Sequence, residues 1–145
     1  MSETEKARFT LPHRIRFSEC DPAGIVFYPQ YFVLFNDLLE AWVDSLLPIG
    51  FKGYIGVRRF GMPTVKLEAE FLAISRMGDD VQLTLEVAKV GTRSFVLKLE
   101  CKDLEGAPRM RVTQTLVTTS LVTHDAIAIP DELRDALQQH GFIEN

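Results

Sequence analysis

An aspartate, a proline and a glycine stand close together in the segment ECDPAGIVFYPQY, just before a long and mostly apolar stretch. Aspartate is ordinarily ionised at neutral pH, so Asp21 could act as a base or a nucleophile without a partner base. Asp21-Pro22 on its own is more typical of a turn than of a catalytic site. The residues after this turn bear on the chemistry of Asp21, because Pro29 suits the first turn of a helix that would begin close to it.

A helix that begins near Pro29 would bring unpaired backbone amides close to Asp21. Apolar residues recur at three- and four-residue steps from Tyr31 to Leu47, which predicts a helix with a wide, covered apolar stripe. The first amides of a helix have no partner within it, and the helix dipole adds partial positive charge there. We therefore expect hydrogen-bond donors around Phe27, Tyr28 and Gln30 to face the carboxylate.

Length and composition narrow the class of protein. The 145 residues, of which 46% are hydrophobic, suit a single domain with one sizeable core. A net charge of -4 and a pI near 5.4 argue against nucleic acid and anionic lipid as partners. No run approaches the roughly 20 apolar residues of a membrane span, and MSETEKARFT lacks the hydrophobic stretch of a secretion signal. We expect a cytoplasmic protein that does not bind membranes.

Most of the remaining chain shows the alternation of β-strands. FTLPHRIRF predicts a first strand that ends near Ser18. PIGFKGYIGVRRFGMP is predicted to be a long connecting loop, and IPDELRDALQQHG a short terminal helix. Between them, four segments predict consecutive antiparallel strands: TVKLEAEFLA, DDVQLTLEVAKVG, RSFVLKLECKD and RMRVTQTLVTTSLV.

These elements have one economical arrangement, an α+β fold over residues 1–145 in which a curved antiparallel β-sheet wraps a long central α-helix. Such a sheet leaves edge strands and, we expect, an apolar outer face. One side of each of two strands is predicted to form the concave face, through Val65, Leu67, Ala69 and Phe71 and through Val81, Leu83, Leu85 and Val87.

The segment RIRFSECDPAGIVFYPQYFVLFND resembles the N-terminal signature of the hotdog-fold 4-hydroxybenzoyl-CoA thioesterase family. AEFLAISRMGDDVQLTLEV, RSFVLKLECKD and AIPDELRDAL also fit that family. The resemblance implies the hotdog fold and hydrolysis of an aryl- or acyl-CoA thioester to the free acid and CoA. It implies that Asp21 is nucleophile or general base and that the N–H of Tyr28 polarises the thioester carbonyl. Gly24 would let the backbone pass close to the thioester.

The same resemblance implies a homo-oligomer, as a tetramer built from two dimers, with paired sheet edges and active sites shared between subunits. Arg93 matches a position where the family has a basic residue for the nucleotide end of CoA, whereas Gly91 and Thr92 replace further arginines of some relatives. CoA is part of the substrate, so no separate cofactor is expected. Four other arginines are possible substitutes: Arg58, Arg59, Arg109 and Arg111.

Other polar residues have simpler interpretations. Glu19 is expected to be a solvated charge at a strand end, and Cys20 a buried structural residue without a local histidine. Cys20 and Cys101 fit neither a disulfide framework nor zinc-ligand spacing, so no metal site is expected. Asn36 could face the acyl pocket, an interior carbonyl or a neighbouring subunit. The three histidines lack ligand or triad spacing and are predicted to be non-catalytic: His13, His124 and His140.

Other functions remain open on such a fold, because a fold does not dictate activity. A non-catalytic module that binds acyl-CoA or acyl-carrier protein is the alternative, and the intact Asp21 favours the enzyme. A dehydratase or hydratase would need a histidine paired with an acid in or beside the central helix, and QYFVLFNDLLEAW has no histidine. The aromatic residues near Asp21 suit an aryl group, yet they could equally line an aliphatic pocket.

Overall fold

The long helix that the apolar spacing predicts is the centre of the molecule. A computed structural model describes residues 6–144, and in it this helix, α1, spans Tyr28–Leu46 with Pro29 in its first turn. Its stripe is buried on eight residues: Tyr31, Leu34, Phe35, Leu38, Leu39, Trp42, Val43 and Leu46. The predicted helix is confirmed, and its burial fixes the direction in which its first turn points.

A five-stranded antiparallel sheet covers α1. Its strands are β1 Phe9–Arg14, β3 Thr64–Phe71, β4 Asp80–Val90, β5 Ser94–Asp103 and β6 Pro108–Val117. They lie side by side in the order β1-β4-β5-β6-β3. The four predicted strands are present, but their order is not consecutive. β1 occupies one side of β4, with Phe9 opposite Leu85, so β3 crosses to the far edge and pairs with β6.

Half of the predicted concave face is buried as expected. On β4 the four residues Val81, Leu83, Leu85 and Val87 are each less than 5% exposed. On β3 the prediction of burial is wrong, since every residue of that strand is exposed. Leu67 and Phe71 do share the inner side with Gln114 and Met110, but β3 is an edge strand, and a cavity separates Leu67 from α1. Val65 falls where the register shifts.

The outer face of the sheet is polar, so the predicted apolar outer face is wrong. Lys98, Glu100 and Lys102 alternate with the buried residues of β5, and Arg111 lies on the neighbouring strand. Arg111 Nε donates to Glu100 at 2.9 Å. Burial alone would raise the pKa of Glu100, but its contacts with Arg111 and Lys102 outweigh burial and lower it.

The predicted long loop contains a helix. α2 spans Gly50–Gly56, followed by the short strand β2, Phe60–Gly61, which pairs with β7, Thr119–Ser120. One of the glycines that suggested a loop, Gly53, serves packing instead, because a Cβ on Gly53 would lie 2.6 Å from the Cβ of Ile49. Glycine at this position therefore allows the turn of α2 to close against the preceding residues.

The terminal helix α3 spans Asp131–Gln139, and Gly141 stops it in the left-handed region at φ 80°, as predicted. The chain after it packs on the core, where the rings of Phe142 and Trp42 lie 5.5 Å apart edge to face. Among residues 6–144, no helix combines the length and the hydrophobicity that a membrane crossing requires.

Candidate active site

The residues from Glu19 to Phe27 form a small hairpin that carries Asp21 near its tip. Backbone hydrogen bonds close it, from Phe27 N–H to the Glu19 carbonyl at 2.9 Å and from Asp21 N–H to the Ile25 carbonyl at 3.0 Å. At the tip, Gly24 N–H donates to the Asp21 carbonyl at 2.9 Å, and Gly24 takes φ 78°. The turn that the sequence predicts is thus a complete hydrogen-bonded unit.

Asp21 is half-buried and lines a cavity of about 520 Å³. Its Oδ1 accepts the N–H of Ala23 at 2.9 Å, which orients the carboxylate within the turn. Within residues 6–144, no side chain hydrogen-bonds or forms an ion pair with this carboxylate, so its second oxygen is free for chemistry.

Tyr28 lines the same cavity, at the first residue of α1. Its N–H has no acceptor among the described residues, and Phe27, which precedes it, gives no side-chain cap. A free N–H at the positive end of a 19-residue helix is suited to hold a developing negative charge. The structure therefore places two of the predicted site residues, Asp21 and Tyr28, on one cavity.

The opposite wall is the β3–β4 connection, which holds the hairpin in place. Val26 N–H donates to the Ser75 carbonyl at 3.0 Å, and Met77 N–H donates to the Gly24 carbonyl at 3.1 Å. This connection is itself anchored, because Asp79 Oδ2 accepts from Arg109 Nη1 at 2.7 Å and from Arg76 N–H at 2.9 Å. The Arg76 amide and then Arg109 hold the pKa of Asp79 below its usual range.

The cavity walls are mostly apolar and aromatic. Phe71 at the end of β3 packs against Tyr28 at 6.2 Å and Tyr31 at 6.3 Å between ring centroids. At the wall, the buried hydroxyl of Tyr31 donates to Ser75 Oγ at 3.0 Å, and burial raises the pKa of Tyr31. The full lining is Asp21, Ile25, Val26, Phe27, Tyr28, Tyr31, Phe71, Leu72, Ala73, Ile74 and Ser75.

The segment from Phe71 to Ser75 is the part of the site that sequence reasoning missed. TVKLEAEFLA is predicted to be a strand, so Phe71, Leu72 and Ala73 fall at its end, and Ile74 and Ser75 follow it without a predicted role. A weak signal did exist, since Leu72 and Ile74 break the alternation of apolar and polar residues just before the turn at Gly78. Both are exposed in the single chain.

Gly24 and Arg93 do not line the cavity. Gly24 adopts a left-handed conformation, and a Cβ there would meet nothing within 4 Å. Arg93 lies in the exposed turn after β4, whereas the hairpin contacts the segment before β4. The 11 residues of β4 separate the two, a distance on the order of 30 Å.

Three of the four substitute arginines are engaged elsewhere in the fold. Arg58 donates to Glu132 at 3.1 Å, Arg109 anchors Asp79, and Arg111 pairs with Glu100. Arg59 is exposed and takes φ 58°. Arg58, Arg109 and Arg111 therefore each have a carboxylate partner within the chain, and these contacts do not require CoA.

Two interpretations of the residues beside Asp21 need correction. Glu19 is buried, not solvated, and it pairs with His13, whose Nε2 lies 2.8 Å from Glu19 Oε1. Neither side chain lines the cavity, so the pair does not face the reacting atoms. Cys20 is half-buried and its Sγ donates to the Arg16 carbonyl at 3.4 Å. Burial and then Glu19 and Asp21 raise the pKa of this thiol, which makes it a poor nucleophile.

Asn36 is exposed on α1 and lines a second cavity of about 250 Å³ beside β3. Gln114 Nε2 donates to Thr64 Oγ1 at 2.7 Å in the same cavity.

The remaining histidines and the second cysteine lie outside both cavities. His124 and His140 are exposed. Cys101 is buried, and burial raises the pKa of its thiol to about 11. Across residues 6–144, no three His, Cys, Asp or Glu side chains converge as metal ligands would.

Comparisons with known proteins place this geometry in a family. A model of the thioesterase-like superfamily matches residues 15–137. A 1,4-dihydroxy-2-naphthoyl-CoA hydrolase from Synechocystis sp. is 24% identical over 131 residues, which cover 90% of this chain and 89% of that protein.

Solved structures agree with the fold. A 1,4-dihydroxy-2-naphthoyl-CoA thioesterase from Synechocystis superimposes with a TM-score of 0.81 at 21% identity, over 90% of this chain and 96% of that one. The 4-hydroxybenzoyl-CoA thioesterase from Pseudomonas sp. strain CBS-3 gives 0.77 at 23% identity, over 89% and 98%. The predicted hotdog fold is confirmed.

Proposed function

Because this chain belongs to the thioesterase-like superfamily, we propose that it hydrolyses acyl-CoA thioesters at the cavity shared by Asp21 and Tyr28. The observation that carries the proposal is the carboxylate of Asp21 and the unpaired N–H of Tyr28 on the walls of one cavity. Thioester hydrolysis needs a group that promotes attack at the carbonyl carbon and a donor for the charge that builds on its oxygen.

Asp21 can promote the attack in two ways. As general base, it takes a proton from water while the water oxygen bonds to the carbonyl carbon. The oxyanion accepts from Tyr28 N–H, and the intermediate then expels CoA thiolate by breaking the C–S bond, with the proton passing to the thiolate. As nucleophile, Asp21 bonds to the carbonyl carbon itself, releases CoA thiolate, and leaves an anhydride that water hydrolyses.

We propose an aryl-CoA as substrate. The cavity of about 520 Å³ has the size of a small-molecule site, and four aromatic rings line it: Phe27, Tyr28, Tyr31 and Phe71. The relatives from Synechocystis and Pseudomonas act on hydroxylated aryl-CoA thioesters, as their names state. The two ring sizes that these names include, naphthoyl and benzoyl, are both candidates for this chain.

We further propose that the cytoplasmic enzyme is a homo-oligomer, a tetramer of two dimers. β3 is an edge strand whose inner residues Leu67 and Phe71 are exposed by 44% and 55%, although they are apolar. Pairing of β3 with its copy would cover them and would extend the wall at Phe71. Arg93, which lies far from Asp21 in its own chain, could then contact CoA only at a partner's cavity.

Thiol release from a panel of CoA thioesters tests the activity. The panel contains 4-hydroxybenzoyl-CoA, 1,4-dihydroxy-2-naphthoyl-CoA, acetyl-CoA and palmitoyl-CoA. We expect the wild type to release thiol fastest from an aryl-CoA, and Asp21→Asn to lower the rate by about 10²–10⁴-fold, the usual contribution of a general base. Asp125→Asn, an exposed aspartate outside the cavity, is the matched control.

Equal rates of thiol release for the wild type and Asp21→Asn would show that Asp21 takes no part in the reaction. Binding of an aryl-CoA without any release of thiol would instead identify a non-catalytic binding module.

A further inference from the structure

A nearly buried, hydrogen-bonded pair of side chains, His13 and Glu19, lies at the base of the Asp21 hairpin. His13 Nε2 is 2.8 Å from Glu19 Oε1 and 3.1 Å from Oε2, and the two side chains are 17% and 12% exposed. An ionised carboxylate can only accept, so Nε2 carries the hydrogen. Glu19 Oε1 also accepts the N–H of Arg16 at 2.8 Å. Two donors therefore converge on one oxygen.

Glu19 is placed where three parts of the site meet. Its side chain contacts β1 through His13. It also accepts the N–H of Arg16, the residue that begins the 3-10 turn at Phe17–Glu19. Its carbonyl accepts the N–H of Phe27, the residue immediately before Tyr28. Asp21 lies two residues further along the chain. One residue thus connects the sheet to both proposed catalytic groups.

A carboxylate this buried is unfavourable unless it is paired and hydrogen-bonded. The return strand of the hairpin has its own anchors, since the Gly24 carbonyl and the Val26 N–H form hydrogen bonds with the β3–β4 connection. The first strand, which carries Asp21, is held to β1 by the Glu19 side chain. If this contact were lost, the first strand could shift while the return strand stayed attached, which would change the separation between Asp21 and the Tyr28 amide.

We propose that Glu19 and His13 are positioning residues, which set the distance between the Asp21 carboxylate and the Tyr28 N–H. The inference rests on the proposed thioester hydrolysis. Displacement of a reacting group by about 1 Å can cost about 100-fold in rate even when the substrate still binds. A positioning pair should therefore affect kcat far more than KM.

Four variants test the pair. Glu19→Ala removes both hydrogen bonds and should lower kcat by about 10–100-fold with KM changed less than about twofold, as for other supporting residues. Glu19→Gln keeps an oxygen that can accept from His13 and Arg16, and should retain kcat within about threefold. Glu19→Ala/His13→Ala should lose no more than Glu19→Ala alone. Arg14 lies next to His13 on β1 and forms an exposed ion pair with Asp80 on β4. Arg14→Ala breaks that pair and should leave kcat unchanged.

Amide hydrogen exchange gives a measurement that does not need activity. Glu19→Ala should speed exchange at Phe27 by about tenfold or more, because the hairpin base opens more often, whereas Arg14→Ala should not. Should Glu19→Ala fail to fold, His13→Ala, which leaves the Arg16 hydrogen bond in place, is expected to speed exchange at Phe27 and to lower kcat, each by less than is predicted for Glu19→Ala.

Unchanged kcat and unchanged exchange in Glu19→Ala would overturn the proposal, as would an equal loss in Glu19→Gln and Glu19→Ala. If the wild type releases no thiol from the panel, the proposed function fails. The exchange comparison then still decides whether the pair holds the hairpin.

Discussion

Asp21 is held by its own turn, with no base partner beside it among the described residues. Oδ1 accepts Ala23 N–H, and Gly24 closes the turn with its amide on the Asp21 carbonyl. The sequence predicted the turn, because Asp, Pro and Gly have strong local preferences, whereas the role of Asp21 was implied by the family resemblance. It suggested a different reason for Gly24, a close approach to substrate, whereas the structure shows a left-handed φ in open space.

Substitution of Gly24 tests whether glycine is required there for its left-handed φ. Gly24→Ala should lower the free energy of unfolding by about 1–2 kcal/mol, because a residue with a Cβ is strained in the left-handed region. Gly24→Asn should cost less, since asparagine tolerates that region. Urea denaturation measures both. Gly56→Ala, at a glycine with an ordinary φ and equally open surroundings, should not destabilise the protein. An equal loss for Gly24→Ala and Gly56→Ala would contradict the assignment of strain.

At the scale of elements, the site depends on where strands end. The hairpin is pinned to the β3–β4 connection, and Arg109 on β6 holds that connection through Asp79. Alternation predicted the strands themselves, since burial on β4 follows a period of two. Alternation does not encode which strands pair, so the position of β3 beside β6 was not predictable in this way. The sequence did not predict α2, because its glycines are typical of a loop, whereas Gly53 allows close packing against Ile49 within the helix.

The exposed inner side of β3 has a direct test. Leu67→Asp places a charge on the proposed dimer seam, where burial without a partner is costly, and should shift the protein toward a monomer of 16.4 kDa. Leu104→Asp, at another exposed leucine in the β5–β6 turn, should leave the oligomer intact. Sedimentation velocity measures both. A wild type that sediments as a monomer, or an oligomer unaffected by Leu67→Asp, would exclude pairing through β3.

At the scale of the molecule, the site joins segments that are far apart in sequence. Asp21 and Tyr28 are seven residues apart and could be associated from local patterns alone. The Phe71 to Ser75 wall comes from 43 or more residues beyond Tyr28, and only the packing of the sheet around α1 brings it to the cavity. Glu19 was misassigned for the same reason, since its partner His13 is brought over it by the bend after β1.

The central claim is that a thioester carbonyl lies between the Asp21 carboxylate and the Tyr28 N–H. The most direct test is the amide resonance of Tyr28 in Asp21→Asn while 4-hydroxybenzoyl-CoA is added, because this variant should leave the ligand intact. We predict a saturable low-field shift of the Tyr28 amide proton, the mark of a new hydrogen bond, with no change at Gly56 in α2, which follows the opposite end of α1. A ligand that binds while the Tyr28 resonance stays in place would contradict this arrangement.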